Sequence, residues 1–542
     1  MRYSYYTWFT TALAAYILVS SCQSATTSAP ANPVLAEGKQ LADKHCGTCH
    51  LPVSPAVLDK KTWVNHVLPA MATNLGLEAY PGNYYYAGKN AVVSYDQWQL
   101  IKAYYDTLAP QTLPAAHKPA PLLNDWAIFS VEKPKRLMAQ KALTTMVAVD
   151  TMSHQLYSGE GIGSGLYRWN QTLQPTLFNQ MHSAAVGATF FRDETGRERA
   201  VFTCLGTMEA ADIAQGELVS MVLSGKQNAD SVNLSRQLPR PVQSVAADLN
   251  KDGLTDWVIC GFGHQSGGLY WLKQQPDHHF VKRSIREVPG ACQAVAGDFN
   301  ADGWPDLMVL FAHANEGVWL FLNDQKGGFA ERNVLRFPPV YGSTSFQLVD
   351  VNKDGQLDIV YTCGDNSDYS KVLKPYHGMY IYLNQGDFRY KQAYFYPING
   401  CTKAVATDYD LDGDLDIMTI AFFADLKHNP AEGCVYFEQK TALHFQPHAL
   451  PVHSFGRWIC MDVNDWDRDG DPDVVLGNFS QGFVNGEKLK PTWDEYLPLI
   501  VLKNNVRKAP LAGLPANGKH RPAIRLGLER KGEAVVQQNL PR

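Results

Sequence analysis

The sequence predicts a multidomain protein in which a small all-α domain precedes an all-β seven-bladed propeller. Three observations predict it. Helical periodicity is scarce beyond residue 112. Beyond that point one acidic nine-residue pattern recurs five times, each copy lying between short apolar runs. The copies begin at Asp248, Asp298, Asp350, Asp408 and Asp465, so the unit is 50 to 58 residues long, the size of a four-stranded propeller blade. At 542 residues the chain is too long for one ordinary core. Its formal net charge of −5 points away from nucleic acid.

Met1 to Ser21 reads as an export signal, with Arg2 as its positive start and Trp8 to Val19 as its apolar core. It ends Val19-Ser20-Ser21-Cys22, which resembles the lipobox of bacterial lipoproteins. The resemblance implies that Cys22 is acylated and that residues 22–33 are a tether. Such a chain would be extracytoplasmic and held at a membrane through its lipid, on the periplasmic side or at the cell surface.

Residues 34–112 form the first domain. Leu35 to His45 reads as a helix, with Leu41 and His45 on one face with Glu37. It leads into Cys46-Gly47-Thr48-Cys49-His50. Two thiols three positions apart can each add to a vinyl group of haem, and the next histidine can ligate its iron. The bland alternative is a redox dithiol or half a zinc site, but a second Cys pair at ligand spacing is missing. Ser94 can cap a second helix through Leu108, with Trp98, Ile101, Tyr105 and Leu108 on one face. Pro110 stops it.

A helix ending in Cys-x-x-Cys-His and an aromatic helix ending Leu108-Ala109-Pro110 resemble small class I c-type cytochromes. The resemblance implies one covalent haem c on Cys46 and Cys49, with His50 as an iron ligand. Met71 is the preferred distal ligand, since a thioether favours reduced iron and suits electron transfer. His66 is its rival, and an open iron is the third alternative. The bland reading of Met71 is a core methionine near Trp63 and Val67.

Residues 113–130 have the look of a linker, with a Pro/Ala-rich stretch from Pro114 to Pro121. The propeller then occupies 131–506. In each repeat, oxygens at positions 1, 3, 5 and 9 can converge on one calcium ion, helped by the backbone carbonyl at position 7. Glycine at position 6 permits the sharp turn. The five candidate sets total about five calcium ions. They are Asp248, Asn250, Asp252, Leu254, Asp256; Asp298, Asn300, Asp302, Trp304, Asp306; and Asp350, Asn352, Asp354, Gln356, Asp358. Asp408, Asp410, Asp412, Asp414, Asp416 and Asp465, Asp467, Asp469, Asp471, Asp473 complete the series. The bland alternative is a metal-free Asp/Gly turn. The flanks are short strands, such as Ala294-Val295-Ala296 and Leu307-Met308-Val309-Leu310, so each loop joins a hairpin.

These units resemble FG-GAP, or VCBS-type, repeats, whose calcium loops sit in propeller blades. Two degenerate units come first, starting at Met146 and Ala184 and lacking the carboxylate set. Two plus five gives seven blades. A strand near Trp126 to Val131 is expected to complete the last one. The tail from Arg507 should hold little fixed structure.

In such a ring the acidic turns face one side and the long loops the other. Binding belongs on the long-loop side. His264, His313, His377, His428 and His453 belong there, with Lys403, Arg457 and Trp458 in the blade links, either as a functional cluster or as separate loop residues. Of the ten cysteines, seven lie outside the lipobox and the haem box. Cys260 with Cys292 and Cys363 with Cys401 are placed either to bridge neighbouring blades or to stay as buried thiols.

The preferred reading is single-electron transfer, with the propeller docking a redox protein partner or a ligand. An oxidoreductase whose loop face passes electrons to the haem is the alternative. Against it, no nucleotide-binding glycine motif or quinoprotein tryptophan repeat is present. A third reading makes the propeller an adhesion module for a glycan or other small-molecule ligand.

Overall fold

The computed structural model describes residues 32–135, 139–224, 231–313, 315–367, 370–482 and 490–507. The leader, Cys22, nearly all of the tether and the tail beyond Arg507 lie outside the described residues. Among the described residues no helix is long and apolar enough to cross a membrane.

Seven sheets follow one another around a ring. Blades 1 to 6 each take their strands in chain order, over residues 144–180, 185–238, 241–286, 291–336, 343–397 and 401–449. Blade 7 has three strands from 458–504, and its fourth is Phe129–Glu132 from the other end of the propeller. That strand pairs antiparallel with Leu499–Asn504, in register Leu502 to Val131. The ring is therefore closed by hydrogen bonds between its two ends, as the sequence led us to expect.

Burial explains the strand sequences. The second strand of a blade lies between two others and between two blades. Asp306–Phe311 is buried along its whole length, and so reads as a continuous apolar run rather than an alternation. The fourth strand is an outer edge. Phe280–Arg286 is largely exposed and carries Lys282, Arg283 and Arg286, charges that discourage edge pairing. The cores lie between blades: Met308 and Leu310 of blade 4 pack with Phe346 and Ile359 of blade 5.

The N-terminal unit runs from Pro33 to Leu108. Helix Pro33–Cys46 packs on helix Tyr95–Leu108. A β-carbon at Gly38 would stand 2.3 Å from the Leu100 carbonyl oxygen, so only glycine permits this approach. The buried stripe of the first helix is Gly38 and Ala42, not the expected Glu37 face; Glu37 is exposed, and Leu41 and His45 are half-buried. Ser94 closes a capping box with Gln97, accepting from its amide at 3.2 Å. Trp98, Ile101 and Tyr105 are buried as expected, but Leu108, the last residue of the helix, is 48% exposed. The unit is also not all-α. A hairpin pairs Leu77–Tyr80 with Tyr84–Ala87.

The Pro/Ala-rich stretch is tied to the propeller. Lys118 pairs with the buried Glu432, the Tyr396 hydroxyl donates to the Ala120 carbonyl, and Leu123–Asn124 lies parallel to the last strand of blade 6. The N-terminal unit itself rests on the long-loop side. Val340 and Val372 pack against its core, and the Tyr376 hydroxyl donates to the Val57 carbonyl at 3.2 Å.

Candidate functional site

Each acidic loop joins the first and second strands of its blade, and glycine at position 6 takes positive φ in all five, from +83° at Gly253 to +96° at Gly413. The aspartate at position 9 begins the second strand and is fully buried. Its carboxylate ties three segments together. Asp306 accepts from the Phe299 amide of its loop at 3.1 Å and from the Asn323 amide ending strand three at 2.8 Å. Asp358 does the same with Val351 and Asn384, and Asp473 with Trp466 and Asn504. Sequence reading assigned these residues to calcium and missed this backbone clamp. Its signal was the invariant placement of an acid at the head of an apolar run.

The remaining positions divide the loops into two kinds. In blades 3, 4 and 5 position 3 is asparagine, and its amide donates to the position-5 aspartate: Asn250 to Asp252, Asn300 to Asp302, Asn352 to Asp354. The Trp304 amide, ahead of Asn300, holds Asp302 below the usual carboxylate range. Partial burial opposes the same trend at Asp252, but bonds from Asn250 and the Leu254 amide, with Lys273, outweigh it.

In blades 6 and 7 the odd positions are all aspartate. Asp408, Asp410 and Asp412 offer oxygens within 4.8 Å of one another, and so do Asp465, Asp467 and Asp473. Buried oxygens of Asp408, Asp414, Asp465 and Asp471 have no hydrogen-bond partner. Burial pushes Asp410 and Asp471 up to about 6, and Asp416 and Asp473 to about 7. Converging, under-satisfied carboxylate oxygens are the donor set that a hard divalent cation takes. Blade 7 already has one cation nearby, since Lys503 pairs with Asp467.

In the N-terminal unit Cys46 ends its helix and Cys49 and His50 follow in a turn, their amides reaching the Cys46 carbonyl at 3.4 Å. Both cysteines are unbridged. Burial pushes the Cys46 thiol up to about 11. His50 is bonded through Nδ1 to the Leu51 carbonyl at 2.8 Å, which leaves Nε2 as the free ligand atom. Burial also lowers the His50 pKa; the Leu51 bond opposes this and Arg336 adds to it. Met71 is half-buried on the cluster that Cys46 also packs against, whereas His66 is exposed. His66 belongs to a π-helical turn, Trp63–Val67, within the helical run that carries Met71.

The long-loop histidines do not gather. His313 packs against Phe262, with ring centroids 4.4 Å apart, and His428 binds Asp425 at 3.1 Å. His377 is buried, which drives its pKa well below the usual value. Among the described residues the only triads placed for a metal are the two aspartate groups. Lys403 donates to the Met461 carbonyl, the Arg457 guanidinium lies 3.7 Å from the Phe422 ring centre, and Trp458 is in the core. Cys260, Cys292, Cys363 and Cys401 are unbridged thiols. Glu316, which no sequence pattern marks, is fully buried, accepts from the Ser343 amide and hydroxyl at 2.7 and 2.6 Å, and is pushed up to about 8 by burial.

The FG-GAP-like repeat family model matches residues 248–309 and 298–361. A search of curated proteins finds no match. Solved structures similar to this chain include an ancestral GH74 enzyme, at 10% identity and TM-score 0.47 over 79% of this chain and 53% of that one. The chain thus spans about half the length of that enzyme. BBS1N in complex with ARL6DN matches at 8% identity and TM-score 0.41, over 72% of this chain and 99% of that chain. The Cps50 (Swd1) propeller domain of Myceliophteria thermophila matches at 9% identity and TM-score 0.39, over 69% and 98%. Fold and repeats together define the class: a seven-bladed β-propeller carrying FG-GAP repeats.

Proposed function

We propose that this chain is an extracytoplasmic, membrane-anchored haem c protein that carries single electrons, with a calcium-braced propeller as the platform for a redox protein partner. The observation that carries the reading is His50. Its Nδ1 is spent on the Leu51 carbonyl and its Nε2 left over, directly after two unbridged cysteines at haem-attachment spacing. Cys46 and Cys49 would hold the group and His50 and Met71 would ligate its iron. Haem c, when bound, supplies one-electron redox chemistry. The chain's own residues set the surroundings: Trp98 and Tyr105 belong to the buried cluster that Cys46 packs against, and Val340, Val372 and Tyr376 seat the unit on the propeller. The acidic loops of blades 6 and 7 are the strongest of the five for calcium, because their oxygens converge. Cys22 would carry the lipid.

The test is the visible spectrum of protein made with a c-type maturation system. A covalent, low-spin haem that ignores carbon monoxide is expected. Met71→Ala should abolish the sulfur-to-iron band near the red end of the oxidised spectrum and open the iron to carbon monoxide. Protein without covalent haem would overturn the reading, and an unchanged Met71→Ala spectrum would remove Met71 as the ligand.

A further inference from the structure

Blade 2 has a cleft of about 440 Å³ on the long-loop side. That volume is within the range of small-molecule sites, about 300–1,000 Å³. It opens between the link from blade 1, the loop between strands Glu198–Cys204 and Gly216–Val222, and the end of strand Ser231–Leu238. The contacts that seat the N-terminal unit come from blades 4 and 5, on other parts of the ring.

The floor of the cleft is Glu217, 4% exposed. One carboxylate oxygen lies 3.2 Å from His182 Nδ1; the other accepts from Asn233 and lies 3.7 Å from Arg236 Nε. Donors therefore surround this buried acid, and a ligand need bring no counter-charge. An added cation would meet Arg236 and an added anion would meet Glu217. What remains around the cavity is uncharged: Ser183, Gln215 and Gln237, with Ala214 and two glycines. Ser183 accepts from the Gly206 amide at 3.0 Å through its hydroxyl oxygen, and the side-chain amides of Gln215 and Gln237 have no partner among the described residues. Gln237 is held at φ +55°, a conformation sparsely populated by residues other than glycine. Apart from the His182 imidazole the lining contains no aromatic ring, so a large flat apolar ligand would find little stacking surface.

We propose that this cleft binds a neutral, multiply hydroxylated small molecule of the sugar class. Its hydroxyls would accept from Arg236 and the glutamine amides and donate to the remaining lone pairs of Glu217. The site is independent of the haem and of the acidic loops.

The experiment is calorimetric titration of the full chain with glucose, galactose and maltose, using glucosamine and glucuronate as charged controls. At least one neutral sugar should bind saturably, in preference to both charged ones. Arg236→Ala, an exposed change, should weaken it about tenfold, as loss of a charged hydrogen bond does. Glu217→Gln should do the same in protein whose melting temperature shows that it has folded. No saturable binding by any neutral probe, preference for a charged one, or binding that survives Arg236→Ala would each overturn the proposal.

Discussion

The acidic loops of blades 3 to 5 and those of blades 6 and 7 share one nine-residue signature and solve opposite electrostatic problems. In the first group an asparagine at position 3 donates to the position-5 aspartate, so the loop is held by its own hydrogen bonds. In the second group an aspartate replaces it, and a further aspartate, Asp414 or Asp471, occupies position 7. Carboxylates then crowd together with buried oxygens unpartnered. Aspartate for asparagine at position 3, together with the added aspartate at position 7, separates a turn braced by its own side-chain hydrogen bond from one whose converging oxygens suit a cation.

Calcium removal should show the largest effect. Chelation should lower the melting temperature of the propeller, with protection lost first in the hairpins around Asp408 and Asp465. A ligand at a hundred times its dissociation constant stabilises by about 2.7 kcal/mol per site, so two occupied sites suffice for a shift of many degrees. Hydrogen exchange with and without chelator checks the order. Uniform loss across all five hairpins would erase the distinction between the two groups, and no shift in a protein that metal analysis shows to lack calcium would remove calcium altogether.

The same comparison marks what a sequence can carry. The five loops were legible because their chemistry is local: glycine at position 6 and oxygens at fixed offsets lie within nine residues. The closing strand near Phe129 was legible because a seventh blade one strand short must be completed from elsewhere. Long-range contacts were not. Gly38 looks like any glycine until Leu100 is seen against it. Glu316 sits in an ordinary loop and is buried by Ser343, 27 positions away. The histidines shared a side of the ring in the sequence, but His313 is taken up by Phe262, His428 by Asp425 and His377 by the interior of its blade. The tyrosine-rich hairpin at Leu77–Ala87 was hidden because Tyr84 and Tyr86 face solvent and give no apolar alternation.

A smaller effect is expected from pH. Burial raises Asp256, Asp410 and Asp471 to about 6, and Asp416 and Asp473 to about 7, against 3.8 for an ordinary aspartate. Between about pH 4 and 7 the folded protein therefore holds protons that the unfolded chain has released. Calcium-free protein should lose stability as pH rises through that window. Asp252 and Asp302, held low, contribute in the opposite direction, but both are largely exposed and solvent screens them. Calcium, if bound there, would take the place of the protons and should flatten the trend. Urea unfolding at pH 5 and pH 7 in chelator measures it; calcium-free protein more stable at pH 7 would show that the crowded carboxylates are already compensated.

The finest test exchanges position 3 between the two groups. Asp410→Asn in blade 6 removes a like charge beside Asp408 and Asp412 and supplies a donor of the kind Asn250 gives to Asp252. It should raise calcium-free stability by about 1 kcal/mol and shrink the stabilisation that calcium adds. Asn250→Asp in blade 3 should do the reverse, costing a similar amount without calcium and creating a calcium-dependent shift where little existed. The pair must move in opposite directions, because one hydrogen bond is gained where the other is lost. If both changes destabilise the calcium-free protein, then strand packing, not position 3, decides how each loop is held. The position-9 clamps at Asp256 and Asp416 would then be the determinant shared by both groups, since each already fixes its hairpin through a backbone amide at 2.8 Å, Gln274 in one and Gln439 in the other.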